Sequence, residues 1–185
     1  GVTGKVVFGV VGDSTFFHSG MTGAAEIVYN KGRMIPCVLD NRITGMTGHQ
    51  DNPGTGYTLQ GDPTALLSVE KILTALGFAP VLTVDPQDLK AMKAAVDQAV
   101  SALDAGQQPA IVTRRPCLLI KRDKFRKGMC HVNADKCRSC RSCLKVGCPA
   151  ISLENGKAVI DRTQCVGCTV CAQVCPFDAI EKEEK

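Results

Sequence analysis

Four cysteines fall within the twelve residues from Cys137 to Cys148. Three of them (Cys137, Cys140, Cys143) have the spacing C-x2-C-x2-C, and Cys148 stands before a proline. The pattern returns 28 residues later as Cys165, Cys168, Cys171 and Cys175, the last again before a proline. Zinc favours cysteine pairs set some distance apart for a tetrahedron, and the triplet crowds one end too tightly for that. Disulfides are disfavoured in a reducing compartment. Three thiolates on one tight loop suit three corners of an iron–sulfur cubane, with the remote Cys-Pro serving the other cluster. This spacing assigns Cys137, Cys140, Cys143 and Cys175 to one [4Fe–4S] cluster, and Cys165, Cys168, Cys171 and Cys148 to a second. The second motif has three residues before its Cys-Pro and the first has four, Leu144 to Gly147, so the first loop is one residue longer. Cys37, Cys117 and Cys130 lie outside both motifs. Cys37 is read as a core residue of a strand, and Cys130 as outside the ligand set.

A second constellation lies near the amino terminus. Gly12-Asp13 stands where an apolar strand gives way to a helix, and Asp40-Asn41 follows the next strand, with Gly45 and Gly48 behind it. Asp13 alone reads as an ordinary helix cap. Taken together, a carboxylate, an amide oxygen and a backbone carbonyl are hard oxygen ligands suited to Mg²⁺, which completes its shell with water and substrate phosphates. A helix beginning after Gly12 would offer amides to those phosphates.

The elements needed to position these groups are legible. "KVVFGVV" (5–11), "MIPCVLD" (34–40), "PVLTV" (80–84) and "PAIVT" (109–113) read as strands, and 6–11 reads as buried. Helices are expected over 19–32, over 63–77 with Asp62 as cap and Pro63 in its first position, and from Asp85-Pro86 to about Ala105. This alternation predicts an α/β domain with a parallel sheet and helices on both faces, and with ligands at the carboxyl ends of its strands. A loop as long as 40–62 in such a domain points to function. Residues 130–185 read as a small α+β domain. Its Asn155-Gly156 predicts a hairpin, and its core is too small to stand without a metal staple.

The net charge of +4 is unevenly placed. Residues 1–113 carry 7 basic and 10 acidic groups, 114–129 carry 7 and 1, and 130–185 carry 8 and 7. The basic stretch reads as a solvated linker, with a docking patch for an acidic partner as the alternative. A nucleic-acid binder would spread such charge over a face. No apolar run approaches the roughly 20 residues that span a bilayer. Together with eleven cysteines and no secretory pattern, this reads as a reducing, cytoplasmic setting without membrane attachment.

The Gly-Asp and the Asn after the next strand resemble the thiamine-diphosphate-binding motif. The longer series "GDSTFFHSGMTG", "LDNRITGMTGHQ", "NPGTGYTLQGDPT" and "RRPCLLI", followed by a tail like a bacterial two-cluster ferredoxin, resembles the carboxyl-terminal part of the alpha subunits of the indolepyruvate:ferredoxin oxidoreductases. The resemblance implies a thiamine-diphosphate-binding domain over 1–113 that is incomplete at its amino end, a basic linker over 114–129, and a two-cluster ferredoxin domain over 130–185. It implies Mg²⁺ on Asp13, Asn41 and the carbonyl of Ile43, and diphosphate on Gly12, Ser14 and Thr15. Thr44, Gly45 and Met46 would line the way to the thiazolium, with His49 and Gln50 on the same loop as candidate catalytic side chains. His18 is read as a helix-start residue, with a cofactor-facing role as the alternative, and His131 as a surface residue.

The implied activity is oxidative decarboxylation of arylpyruvates, indolepyruvate or phenylpyruvate, to aryl-acetyl-coenzyme A. Electrons would leave through two clusters to an external ferredoxin. Sister enzymes of pyruvate, 2-oxoglutarate or branched-chain 2-oxo acids are the nearest alternative, and a non-catalytic electron-transfer module is a third. The resemblance also implies partners: an amino-terminal pyrimidine-binding part and a beta subunit with the gamma-type domain, in a hetero-oligomer. Without them the chain is expected not to turn over.

Overall fold

The computed structural model describes residues 5–120 and 128–183, and the chain divides into two compact units at Asp123/Lys124. In the first unit, β1 (Val7–Gly12), β2 (Met34–Asp40), β3 (Val81–Val84) and β4 (Ala110–Arg114) form a parallel sheet in the order β1-β2-β4-β3. Alternation along the strands makes two cores. Val38, Ala110 and Val112 face Phe16, Phe17, Leu73 and Phe78. Ile35, Cys37 and Ile111 face Ala95, Ala99 and Leu103. With both faces covered, the central strands β2 and β4 are apolar runs rather than alternating ones. The expected α/β architecture and the burial of Cys37 both hold.

The chain becomes helical as soon as β1 ends. It forms α1 (Asp13–Thr15), a π-helical turn (Phe16–Gly20) and α2 (Met21–Tyr29) without a break. The helix therefore begins six residues before the expected 19, at Asp13 itself. It ends at Tyr29 rather than at Gly32.

Three further readings are corrected. The helix expected from Pro63 is α3 (Val69–Leu76), capped by Ser68, whose hydroxyl accepts from the Lys71 amide at 3.2 Å. Asp62-Pro63 carries a cap-like signature, but its backbone is engaged elsewhere. Asp62 accepts from Thr58 N at 2.9 Å, Thr64 N donates to Gly56 O, and Leu67 N to Pro53 O, which ties 62–67 back to the long loop. The helix expected from 86 is α4 (Leu89–Asp104), capped by Asp88, which accepts from the Ala91 amide at 2.9 Å. Finally, β1 is not buried. It is the edge of the sheet, and Val7, Phe8 and Val10 are exposed.

The supposed linker 114–129 also divides. Arg114 closes β4, Arg115 N donates to Asp40 O, Cys117 N donates to Asn41 O, and Ile120 is buried, so 114–120 belongs to the sheet unit. Residues 121–127 lie outside the described residues. Gly128 is already part of the second unit, because a Cβ there would stand 2.4 Å from Glu183 O.

The second unit pairs β5 (Cys130–Val132) with β8 (Ile180–Lys182), and β6 (Ile151–Glu154) with β7 (Lys157–Ile160). Asn155 and Gly156 both have positive φ, 48° and 81°, the twist that a two-residue hairpin needs. A 3₁₀ turn (Ser142–Val146) and the short α5 (Val170–Gln173) complete it. His131 is half-exposed and stands 3.5 Å from Glu181. No helix among the described residues is long and apolar enough to cross a membrane.

Candidate cofactor and cluster sites

Parallel pairing of β1 with β2 puts Gly12 opposite Leu39, so Asp13 and Asp40 emerge side by side at the carboxyl end of the sheet. Both are buried, at 3% and 4% exposure, but they are compensated differently. Asp40 is held by cations: Arg114 Nε reaches it at 2.7 Å and Arg42 Nε at 3.4 Å. Arg114 also bridges to Glu70 at 2.5 Å. Asp13 receives neutral donors, the Ser14 amide at 2.8 Å and Asn52 Nδ2 at 3.3 Å. Burial pushes its carboxyl above the ordinary value, and the neighbouring Asp40 adds to the push, against the hydrogen bonds of Ser14, Asn52 and the Arg42 amide.

The loop after β2 folds onto Asp13. Asn41 Oδ1 accepts from the Ile43 amide at 3.1 Å, which leaves it a second lone pair. Ile43 is buried, and Thr44 N donates to Gln50 O at 2.9 Å. Arg42 donates to Gly54 O at 2.8 Å, and Asn52 Oδ1 accepts from the Gly54 amide at 2.9 Å. Gly54 is required to be glycine by contact, since a Cβ would stand 2.8 Å from the Phe17 ring.

Asn52 was missed in the sequence, where "NPG" reads only as a turn. It bridges Asp13 and Thr44 and is 8% exposed. Arg42 and Arg114, which neutralise Asp40, were also missed.

The structure thus brings Asp13, Asn41, Ile43 and Thr44 into one loop–helix corner. It places Met46, His49 and Gln50 on the exposed 44–50 turn, where Gln50 is hooked to Thr47. His18 is exposed on the π-helical turn. The residues present fit Mg²⁺ with a diphosphate. A buried carboxylate whose hydrogen-bond donors are neutral suits a divalent cation. The space in front of Gly12 and Gly45 is open: a Cβ at Gly12 meets nothing within 4 Å, and at Gly45 only Asn41 Nδ2 at 3.8 Å.

In the second unit Cys137, Cys140, Cys143 and Cys175 line one cavity, so the remote Cys-Pro of one motif joins the triplet of the other. Cys143 is pushed up by burial and then by the neighbouring charges of Cys140, Cys175 and Cys137. Cys171 is pushed up to about 12 by burial, then by Cys130, Cys168 and Cys165. Cys148 packs against the same core. Such mutual repulsion fits groups that share iron, whose charge compensates the thiolates. No three His, Cys, Asp or Glu side chains among the described residues gather around a single-ion position; a cubane, with one thiolate per iron, does not require it.

The two loops repeat their backbone as well as their cysteines. Ser139 and Gly167 have φ of 55° and 70°, and Arg141 and Thr169 of 63° and 64°. The extra residue of the first motif is taken up by the 3₁₀ turn, which Gly147 ends in the left-handed region.

Residues 2–113 match the model of the thiamine pyrophosphate enzyme, C-terminal TPP binding domain, and residues 158–181 match the 4Fe-4S binding domain. The chain belongs to the thiamine pyrophosphate enzyme family. It is similar to indolepyruvate oxidoreductase subunit IorA of Pyrococcus abyssi, 41% identical over 186 residues. That alignment covers 96% of this chain and 28% of the relative. The corresponding subunit of Methanothermobacter marburgensis is 36% identical over 184 residues, 99% of this chain and 29% of that one. The putative electron transport protein YsaA of Escherichia coli is 39% identical over 70 residues, 36% of this chain and 44% of YsaA. The chain spans under a third of the length of the IorA relatives it matches.

Proposed function

We propose that this chain is the diphosphate-binding and electron-draining part of a 2-oxo acid:ferredoxin oxidoreductase acting on arylpyruvates. The observation that carries the reading is Asp13, a buried carboxylate at the end of β1 with neutral partners, beside the Asn41 loop. Asp13 and Asn41 Oδ1 hold Mg²⁺ together with the Ile43 carbonyl. Gly12, Ser14 and Thr15 bind the diphosphate at the first helical turn. Thr44, Gly45 and Met46 line the path to the ring, and His49 and Gln50 on the exposed turn meet the substrate. When bound, thiamine diphosphate supplies the carbon nucleophile that lets a 2-oxo acid lose CO₂ while its bonding electron pair is kept. The eight motif cysteines hold two one-electron acceptors, matching that pair, and low potentials suit onward transfer to an external ferredoxin. Coenzyme A takes the acyl group.

Substrate class and assembly rest on the names of the relatives, which are indolepyruvate oxidoreductase subunits. The beta subunit and the pyrimidine-binding polypeptide complete the enzyme as a hetero-oligomer.

The test is anaerobic. The reconstituted chain, with any co-purifying partner, receives thiamine diphosphate, Mg²⁺ and coenzyme A, and then 2-oxo acids one at a time while cluster absorbance is followed. Bleaching by indolepyruvate or phenylpyruvate, and not by pyruvate or 2-oxoglutarate, is the expected result. Bleaching by pyruvate instead moves the protein to a sister activity. A well-folded chain that binds no thiamine diphosphate with Mg²⁺ makes it an electron-transfer module.

A further inference from the structure

Cys130 lies seven residues before the first motif, yet it is 1% exposed among the second motif's cysteines. Its amide donates to Cys165 Sγ at 3.3 Å. Its side chain packs in the same buried cluster as Cys171 and Cys165.

The internal repeat supplies a control. Seven residues before the second motif stands Ala158, beside Cys137 of the first motif in the lining of one cavity. Ala158 is buried and lines the first cavity. The two positions are equivalent: each residue lies beside the leading cysteine of the opposite motif. They differ in that the first pocket has a methyl where the second has a thiol.

We propose that Cys130 is a fifth thiol of the second cluster's pocket, a positioning residue that donates its S–H to the cluster's sulfur ligands and raises that cluster's reduction potential. The reading rests on the assignment of two clusters. A hydrogen bond to a cluster sulfur favours the more negative, reduced state, and a buried donor does so without competition from water. A cysteine outside the iron-ligand set keeps its proton and offers a weak S–H donor. Cys130 requires no bond to iron, because Cys148 completes the second set.

The test is potentiometric titration of the full chain, reconstituted anaerobically, with iron content and EPR of both clusters. Cys130→Ala should retain the wild-type iron and lower the potential of one cluster only. At a poised potential near that cluster's midpoint its reduced-to-oxidised ratio falls severalfold, tenfold corresponding to about 59 mV for one electron. Cys130→Ser, which keeps a donor, should recover much of the shift. The reciprocal Ala158→Cys should raise the other cluster. An unchanged potential in Cys130→Ala overturns the proposal, and so does loss of one cluster's iron, which would make Cys130 a ligand. Wild-type protein that binds only one cluster overturns the underlying assignment instead, and iron content distinguishes the two failures.

Discussion

The two units of this chain solve the problem of a core in opposite ways. The sheet unit buries large apolar side chains, Phe16, Phe78, Ile35, Leu73 and Ile111, each within 1% of full burial. Among its described residues the ferredoxin unit has no aromatic in its buried cluster, and three of the eight buried members are cysteines: Cys130, Cys143 and Cys171. One unit is held by hydrophobic area and keeps its cofactor site at the margin. The other places its cofactor ligands where a core would be, so metal and fold are one question.

Removing the iron should therefore break the comparison most severely. A strong chelator added anaerobically should collapse hydrogen-exchange protection across 130–183 while β2 and β4 of the sheet unit stay protected. Equal protection of both units after iron loss would mean that the ferredoxin core holds by packing alone. The mirror experiment is Phe78→Ala. This truncation should cost the sheet unit ~3–5 kcal/mol, read as a lowered unfolding midpoint, with the cluster spectra unchanged.

Asp13→Asn is the next largest effect and separates function from stability. Thiamine diphosphate binding with Mg²⁺, followed by calorimetry, should vanish while the cofactor-free unit is as stable as the parent or more so. The sign follows from burial, which raises the folded carboxyl above its ordinary value. The folded state then holds more protons than the unfolded chain between the two values. The cofactor-free parent gains stability as pH falls through that window, and its penalty is complete above it. Mg²⁺ affinity runs the other way, weakening as the carboxylate takes up its proton. The variant should lose both dependences. The smallest effect is Gly156→Ala. A Cβ there meets nothing within 4 Å, but φ is +81°, so the cost is conformational, about 1 kcal/mol. It should appear as a small loss of hairpin protection in the iron-loaded protein.

What was legible in the sequence follows from the range of the forces involved. Strands buried on both faces announce themselves as apolar runs, and Asn155-Gly156 announces its hairpin, because both signals are local. The cysteine sets were readable as sets because thiolates at that spacing have few other uses, and Cys137, Cys140, Cys143 and Cys175 line one cavity. The misreadings came from competition beyond the local window. Asp62-Pro63 has the chemistry of a helix start, but Thr58, Gly56 and Pro53 claim its backbone groups and those of the residues after it. Arg114 and Arg115 look like solvated linker charge until the sheet brings Asp40, Glu70 and Asp85 beside them. Asn52 is a turn residue in one dimension and a partner of Asp13 in three. The same limit applied to β1, whose composition is that of a central strand.

That strand has a consequence for how the protein behaves in bulk. VFGVVG contains no charge and no proline, and among the described residues β1 pairs with β2 alone, leaving its other edge bare. Val10 is 64% exposed and Phe8 41%. An uncharged edge of this kind is a template for strand addition. Colloidal behaviour is then governed by backbone pairing more than by the net charge of +4, so the concentration at which the chain can be handled in isolation is set at β1, the strand that leads directly into Asp13.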